Sequence, residues 1–225
     1  MIETVMIATP NGPQMAAVAI PKTEGPHPAI LICHEWWGLN DDMRRMAERF
    51  AGEGYLAIAL DFYEGKSTAD PGEAMQLVMQ LKTDHALAVT KAAVDKIKSD
   101  PRCTGRIAIT GFCLGGAMAI AAICNVEGIA AAVPFYGLPM PKFQNWQNVK
   151  GPILGHYAQN DSHVPAEKVQ GVVVAARQAG VTFECHFYSG SHGFMRKSDA
   201  AIYHPESADL AWNRTLAFLK QHAAS

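Results

Sequence analysis

The chain opens with two strand-like segments, Glu3 to Thr9 and Gln14 to Ile20, on either side of Asn11-Gly12, a turn pair that favours positive φ. That pattern predicts a β-hairpin. Downstream the periodicity changes. Ala29 to Cys33 is a short uninterrupted apolar run of the kind found in buried strands. Asp41 to Gly52 has helical spacing behind an acidic cap, and Tyr55 to Leu60 is again continuously apolar, which together read as a βαβ unit. Asp70-Pro71 offers a cap and a first-turn proline for a helix to about Leu81. Asp84 offers a cap for a second, carrying Leu87, Val89, Ala93, Val94 and Ile97 up to the stop at Asp100-Pro101. A strand over Arg106 to Thr110 leads into a small-residue helix from Leu114. Further strands are predicted at Ile129 to Phe135, Ile153 to Ala158 and Thr182 to Tyr188, with helices over Pro165 to Gln178 and Glu206 to His222. Strands alternating with helices specify an α/β protein with a mostly parallel sheet, helices on both faces and an N-terminal β-hairpin.

Composition narrows the picture. At 225 residues and 49% hydrophobic the chain supports one buried core, so a single domain over 1–225 is expected. The formal net charge is −2 with Lys and Arg scattered, which argues against nucleic acid or an anionic membrane as partner and fits a small-molecule substrate. Met1 to Pro10 lacks the features of a signal peptide. The longest apolar stretch, Ala117 to Cys124, is far short of the ~20 residues that span a bilayer. Five cysteines, an odd number without a CxxC pair, argue against a disulfide framework and a structural zinc site, and favour a cytoplasmic setting. No pair of histidines shows metal-ligand spacing, so no metal is expected. Gly137 to Gly151 reads as an excursion whose Phe143 and Trp146 cover something.

The chemistry concentrates at Gly111-Phe112-Cys113-Leu114-Gly115-Gly116. A cysteine between a strand and a helix, flanked by glycines that let neighbouring backbone come close, is a nucleophile elbow with sulfur in the attacking position. The thiolate is the reactive form, and the start of the following helix supplies a positive potential. In this architecture the acid and the histidine follow the nucleophile in chain order, each just past the carboxyl end of a strand. Asp161, after the strand ending at Ala158, and His192, after the strand ending at Tyr188, satisfy that order. His192 is then the base and Asp161 its orienting carboxylate. His163 stands close enough to Asp161 to compete as its partner, whereas His34, His156 and His186 fall on or beside strands and read as core or supporting groups. Cys33-His34-Glu35-Trp36-Trp37-Gly38 ends the first parallel strand. The Trp36 and Leu114 N–H groups are the candidate oxyanion donors, and Glu35 is a carboxylate able to hydrogen-bond the resting thiol. Trp36, Trp37, Phe143, Trp146 and Phe194 are candidate pocket residues.

Assembled, these residues resemble the dienelactone hydrolase (carboxymethylenebutenolidase) family of the α/β-hydrolase superfamily. The resemblance covers most of the chain. It rests on Glu35, Gly38-Leu39-Asn40, Gly54-Tyr55, Asp61-Phe62-Tyr63, the Cys113 elbow, Asp161 and His192. It implies a Cys-His-Asp triad with an assisting glutamate, no cofactor, a cytoplasmic monomer with a dimer left open, and hydrolysis of an enol-lactone through an acyl-thioester. It also implies two arginines that hold a substrate carboxylate. Arg196 matches the one after the histidine, but the segment Glu64 to Leu81, where the other belongs, contains no arginine and only Lys66. The rival readings are a thiol-based redox sensor and a non-catalytic ligand-binding protein that retains the elbow.

Overall fold

A computed structural model of the chain describes residues 2–223. Of the expected domain, positions 1, 224 and 225 lie outside the described residues. The hairpin is present as β1 (Ile2–Thr9) and β2 (Gly12–Ala19), antiparallel with Thr9 opposite Gly12. Its two-residue loop is Pro10-Asn11. The positive-φ position is Gly12 alone, at 101°, because the turn sits one residue earlier than the Asn-Gly pair suggests.

The remaining strands are β3 (His27–Cys33), β4 (Leu56–Leu60), β5 (Cys103–Phe112), β6 (Ala131–Phe135), β7 (Ile153–Ala158) and β8 (Phe183–Tyr188). They form one eight-stranded sheet in the order β1-β2-β4-β3-β5-β6-β7-β8. The β1/β2 and β2/β4 contacts are antiparallel and all others parallel. Every residue of β4, β6 and β7 is buried, which explains why those strands read as unbroken apolar runs: both faces are covered.

Two helical layers do the covering. On one face α3 (Thr83–Lys98), α4 (Leu114–Asn125) and α5 (Ala166–Gln178) pack on Ala29, Leu31, Ile107 and Ile109. On the other, α1 (Asp41–Gly52) and α6 (Pro205–His222) pack Met43, Phe50, Trp212 and Leu219 against Ile30, Ile32 and Val133. The caps are partly as expected. Asp70 accepts from the Glu73 amide at the start of α2 (Pro71–Gln80). In α1 the cap is Asn40, which accepts from the Met43 amide, and Asp41 and Asp42 occupy the first turn. Asp84 does not cap α3. The chain re-enters the helix at Lys82-Thr83, so Asp84 falls inside the first turn, where its charge faces the positive end of the helix.

The excursion forms two 3-10 turns, Pro141–Phe143 and Trp146–Asn148, fastened to the far end of α4 by hydrogen bonds from Asn125 Nδ2 to the Phe143 carbonyl (2.9 Å) and from Asn148 Nδ2 to the Cys124 carbonyl (3.3 Å). Phe143 and Trp146 are buried there, with Trp146 6.3 Å from the Phe183 ring. They close the core at the end of α4 that lies away from the elbow and do not line the pocket, contrary to expectation.

Candidate active site

The parallel strands bring their carboxyl ends to one edge of the sheet, and the loops that leave those ends supply the site. β5 enters the elbow directly. Cys113 has φ 55° and ψ −115°, a conformation that L-residues rarely adopt, and its amide donates to the Phe135 carbonyl at 3.1 Å. The glycines make the turn possible. A Cβ on Gly111 would overlap the Gly115 carbonyl, one on Gly115 the Cys33 carbonyl, one on Gly116 the Phe135 carbonyl and one on Gly137 the Cys113 carbonyl. Leu114 is the first residue of α4. Neither its N–H nor that of Trp36 is hydrogen-bonded to another group among the described residues.

Asp161 and His192 meet across the β7 and β8 loops. His192 Nδ1 lies 2.8 Å from Asp161 Oδ2, while Asp161 Oδ1 accepts from the amides of His163 (2.8 Å) and Val164 (2.9 Å). Burial opposes the Asp161 charge, but the His192 hydrogen bond and the two amides outweigh it and hold the carboxyl below the ordinary Asp range. His192 Nε2 is buried with no hydrogen-bond partner among the described residues. Burial alone would lower the imidazole pKa. Asp161 and the neighbouring Cys113 sulfur overcome that and push it up to about 10. His163 does not take the carboxylate through its ring, which lies 4.9 Å from the His192 ring.

Glu35 is buried at the end of β3, and burial pushes its carboxyl up to about 7 against the opposing pull of Arg196 and His192. Its contacts differ from the expected one. Oε1 accepts from Tyr136 Oη at 3.4 Å and Oε2 faces Arg196 Nε at 4.0 Å, and no hydrogen bond joins Glu35 to the Cys113 thiol among the described residues. Tyr136, which sequence reasoning missed, is the group that Glu35 meets instead. It follows β6 with φ 36°, is 1% exposed, and turns its ring edge-on to His192 at 5.1 Å. A lone tyrosine one residue past a strand carries no pattern that would have singled it out.

Arg196 lies over the Trp37 ring (4.6 Å) and is ringed by carboxylates: Glu35 and Asp42 at 4.0 Å and Asp199 at 3.9 Å. His34 and His156 are supporting groups. His34 bridges the Glu35 carbonyl (2.6 Å) and the Phe62 amide (3.1 Å), and His156 bridges Tyr188 Oη (2.7 Å) and Thr215 Oγ1 (3.0 Å). Each is buried, and burial holds each pKa below the usual imidazole value.

Cys113, Leu114, Glu35, Trp36, Trp37, His192 and Arg196 share a cleft of about 630 Å³, with Asp161 behind His192. Phe194 is not on its wall. It is fully buried against Tyr136 and Tyr188, because the Gly193 turn carries it beneath the loop. Lys66 faces other hollows, whereas Met75 and Val78 of α2 reach the cleft and had not been anticipated. Among the described residues no group of three or more His, Cys, Asp or Glu side chains is arranged to hold a metal ion, and no helix is long and apolar enough to cross a membrane.

Comparison with known proteins agrees with this fold. The model of the dienelactone hydrolase family matches residues 15–223. The chain is 35% identical to Protein usf of Aquifex pyrophilus over 215 residues, 91% of this chain and 92% of that protein. It is 29% identical to a carboxymethylenebutenolidase of Pseudomonas sp. strain P51 over 232 residues, covering 98% and 96%. A crystal structure from Klebsiella pneumoniae subsp. pneumoniae MGH 78578, provisionally named a dienelactone hydrolase, superposes with a TM-score of 0.90 at 28% identity, covering 98% of each chain. An elbow at the end of β5 and a matching family model over nearly the whole chain lead to one conclusion: this α/β-hydrolase-fold protein belongs to the dienelactone hydrolase family and is a carboxylic ester or lactone hydrolase.

Proposed function

We propose that the chain hydrolyses a lactone or an activated carboxylic ester, of the enol-lactone type, through an acyl-thioester on Cys113. The observation that carries this reading is the aligned pair behind the thiol: His192 is held through Nδ1 by Asp161 at 2.8 Å while its Nε2 remains unpaired beside Cys113. In the first half-reaction the Cys113 proton rests on His192 Nε2, which Asp161 and the neighbouring sulfur hold as an imidazolium, as Sγ attacks the carbonyl carbon. The oxyanion is met by the N–H groups of Trp36 and Leu114. The adduct then collapses, the C–O bond breaks, and His192 returns the proton to the departing oxygen. In the second half-reaction His192 deprotonates water, which attacks the thioester, and the thiol leaves with the proton as the acid is released. Asp161 keeps the Nδ1 proton in place and stabilises the imidazolium.

A thiolate leaves a tetrahedral adduct more readily than an ordinary alkoxide does, so an enolate or phenolate leaving group is needed to drive the first collapse forward. Glu35 assists through Tyr136 and Arg196, the groups it contacts, which fix the wall beside the nucleophile. Five free cysteines support a reducing, cytoplasmic setting, and the cleft supports a small-molecule substrate. The test is Cys113→Ala with p-nitrophenyl acetate. Turnover should vanish with the fold intact, and quenched wild-type protein should carry an acetyl mass on Cys113. A variant that keeps most of its activity overturns the mechanism, as does a thiol that oxidises stably while releasing no acid. Cys113→Ser should be weak, because the site is arranged for a nucleophile that ionises more readily than a hydroxyl.

A further inference from the structure

We propose that the cleft selects an uncharged ester or lactone with an apolar chain, seated against Met75 and Val78 of α2, and disfavours an anionic one. The proposal rests on the hydrolytic reading above and names its substrate class. It starts from the part of the cleft wall that α2 supplies. The segment after Asp61-Phe62-Tyr63 becomes α2, and the side chains it turns into the cleft are a thioether and an isopropyl group. Lys66, the one cation within Glu64 to Leu81, opens onto different hollows. Leu138 and Ile202 continue the apolar wall, and Trp36 and Trp37 close it.

The arginine of the cleft already faces carboxylates, although its buried Nε has no hydrogen-bond partner among the described residues. Arg196 is within 4.0 Å of Glu35, Asp42 and Asp199 and is stacked on Trp37. A substrate carboxylate would have to compete with Asp42, Asp199 and the part-ionised Glu35 for a single guanidinium while giving up its water against Met75 and Val78, which offer it no polar partner. A hydrocarbon chain meets the opposite situation. Met75 is 50% exposed and Val78 lines the same wall, so an apolar chain laid on them removes their surface from water as well as its own. Methionine also adapts to irregular ligands, which suits a wall that accepts chains of varied shape.

The test compares two esters of equal length, p-nitrophenyl hexanoate and the p-nitrophenyl monoester of adipic acid, which differ in a terminal methyl against a carboxylate. We expect kcat/KM for the hexanoate to exceed that for the adipate by about tenfold or more, the size of effect an unpaired charge against an apolar wall produces. Met75→Arg should narrow that ratio and Met75→Glu should widen it. Met79→Arg, on the same helix but 78% exposed and off the cleft wall, should leave it unchanged. Calorimetric titration of both esters into the Cys113→Ala protein reads the same preference as a ratio of Kd values without turnover. Cleavage by that variant would sink the nucleophile assignment and leave the preference to be judged on binding. The proposal itself is overturned if the adipate ester is bound and cleaved as well as the hexanoate. It is equally overturned if both Met75 variants fold, by circular dichroism, and shift the ratio no more than Met79→Arg does.

Discussion

Asp161 divides its two oxygens between different tasks, and that division predicts what a single atom is worth. Oδ1 accepts two loop amides and Oδ2 faces His192 Nδ1. In Asp161→Asn the amide carbonyl must turn toward the two N–H donors, which leaves the NH2 group pointing at His192. The imidazole then has to present a lone pair at Nδ1 and carry its proton on Nε2, the tautomer that cannot accept a proton from the thiol. The loop hydrogen bonds survive, so the melting temperature should stay close to that of the wild type while kcat/KM for an activated ester falls on the order of 10³-fold or more. A loss smaller than about tenfold would reduce Asp161 to a loop cap. The chain-order argument pointed to Cys113, Asp161 and His192, which lie together because parallel strands deliver their loops to one edge. Tyr136 escaped it: its place in the site depends on φ 36° just past β6, and nothing in Phe135-Tyr136-Gly137 announces that conformation.

At the scale of the element, the elbow is a backbone device, and two glycines on helices separate its demands from ordinary helix preference. Gly115 in α4 has no room for a methyl group, since a Cβ would overlap the carbonyls of Cys33 and His34. Gly171 in α5 has nothing within 4 Å of the same position. Gly115→Ala should therefore force α4 away from β3 and cost about 2–3 kcal/mol or more along with activity. Gly171→Ala should instead stabilise by about 0.5–1 kcal/mol. Urea titration and esterase assay on both variants decide it. Equal stability changes would mean that the elbow is less tightly packed than the carbonyl contacts require.

The same distinction explains what was legible in the chain. The hairpin, the strands and the helices follow from periodicity and caps, because burial on one or two faces imposes those patterns directly. Where an element points its side chains is not encoded that way. Phe194 is carried under the site by the Gly193 turn, Phe143 and Trp146 are drawn to the far end of α4, and Met75 and Val78 arrive at the cleft from a helix whose only buried residue is Ala74.

For the whole molecule, the site and the core impose opposite pH dependences on stability. Buried His34 and His156 have folded pKa values below the ordinary 6.5, so below that pH the unfolded chain binds protons the folded one cannot, and stability falls as pH falls. Glu35 acts in the other direction. Its folded pKa is raised from 4.5 to about 7, so the stability it contributes is present below 4.5 and lost as pH rises through 7. His192, raised from 6.5 to about 10, contributes stability that is complete below 6.5 and lost as pH rises through 10. Above 9 the thiols of Cys33 and Cys124, which burial keeps protonated in the folded chain, add to the same decline because their unfolded counterparts ionise. Two histidines against one glutamate set the acid limb, and Glu35 followed by His192 set the alkaline one, so the melting temperature should peak near pH 6.5. His192→Gln removes the contributor that spans pH 7 to 9, while its effects on Asp161 and Glu35 fall largely at or below the lower edge of that window. Scanning calorimetry from pH 4 to 10 should show its curve flattened between pH 7 and 9 by roughly 5 °C relative to wild type, with the descent above pH 9 retained. Curves that run parallel from pH 7 to 9 would mean that His192 gives up its proton near the unfolded value, and that the Asp161 contact does not hold the imidazolium in the resting enzyme.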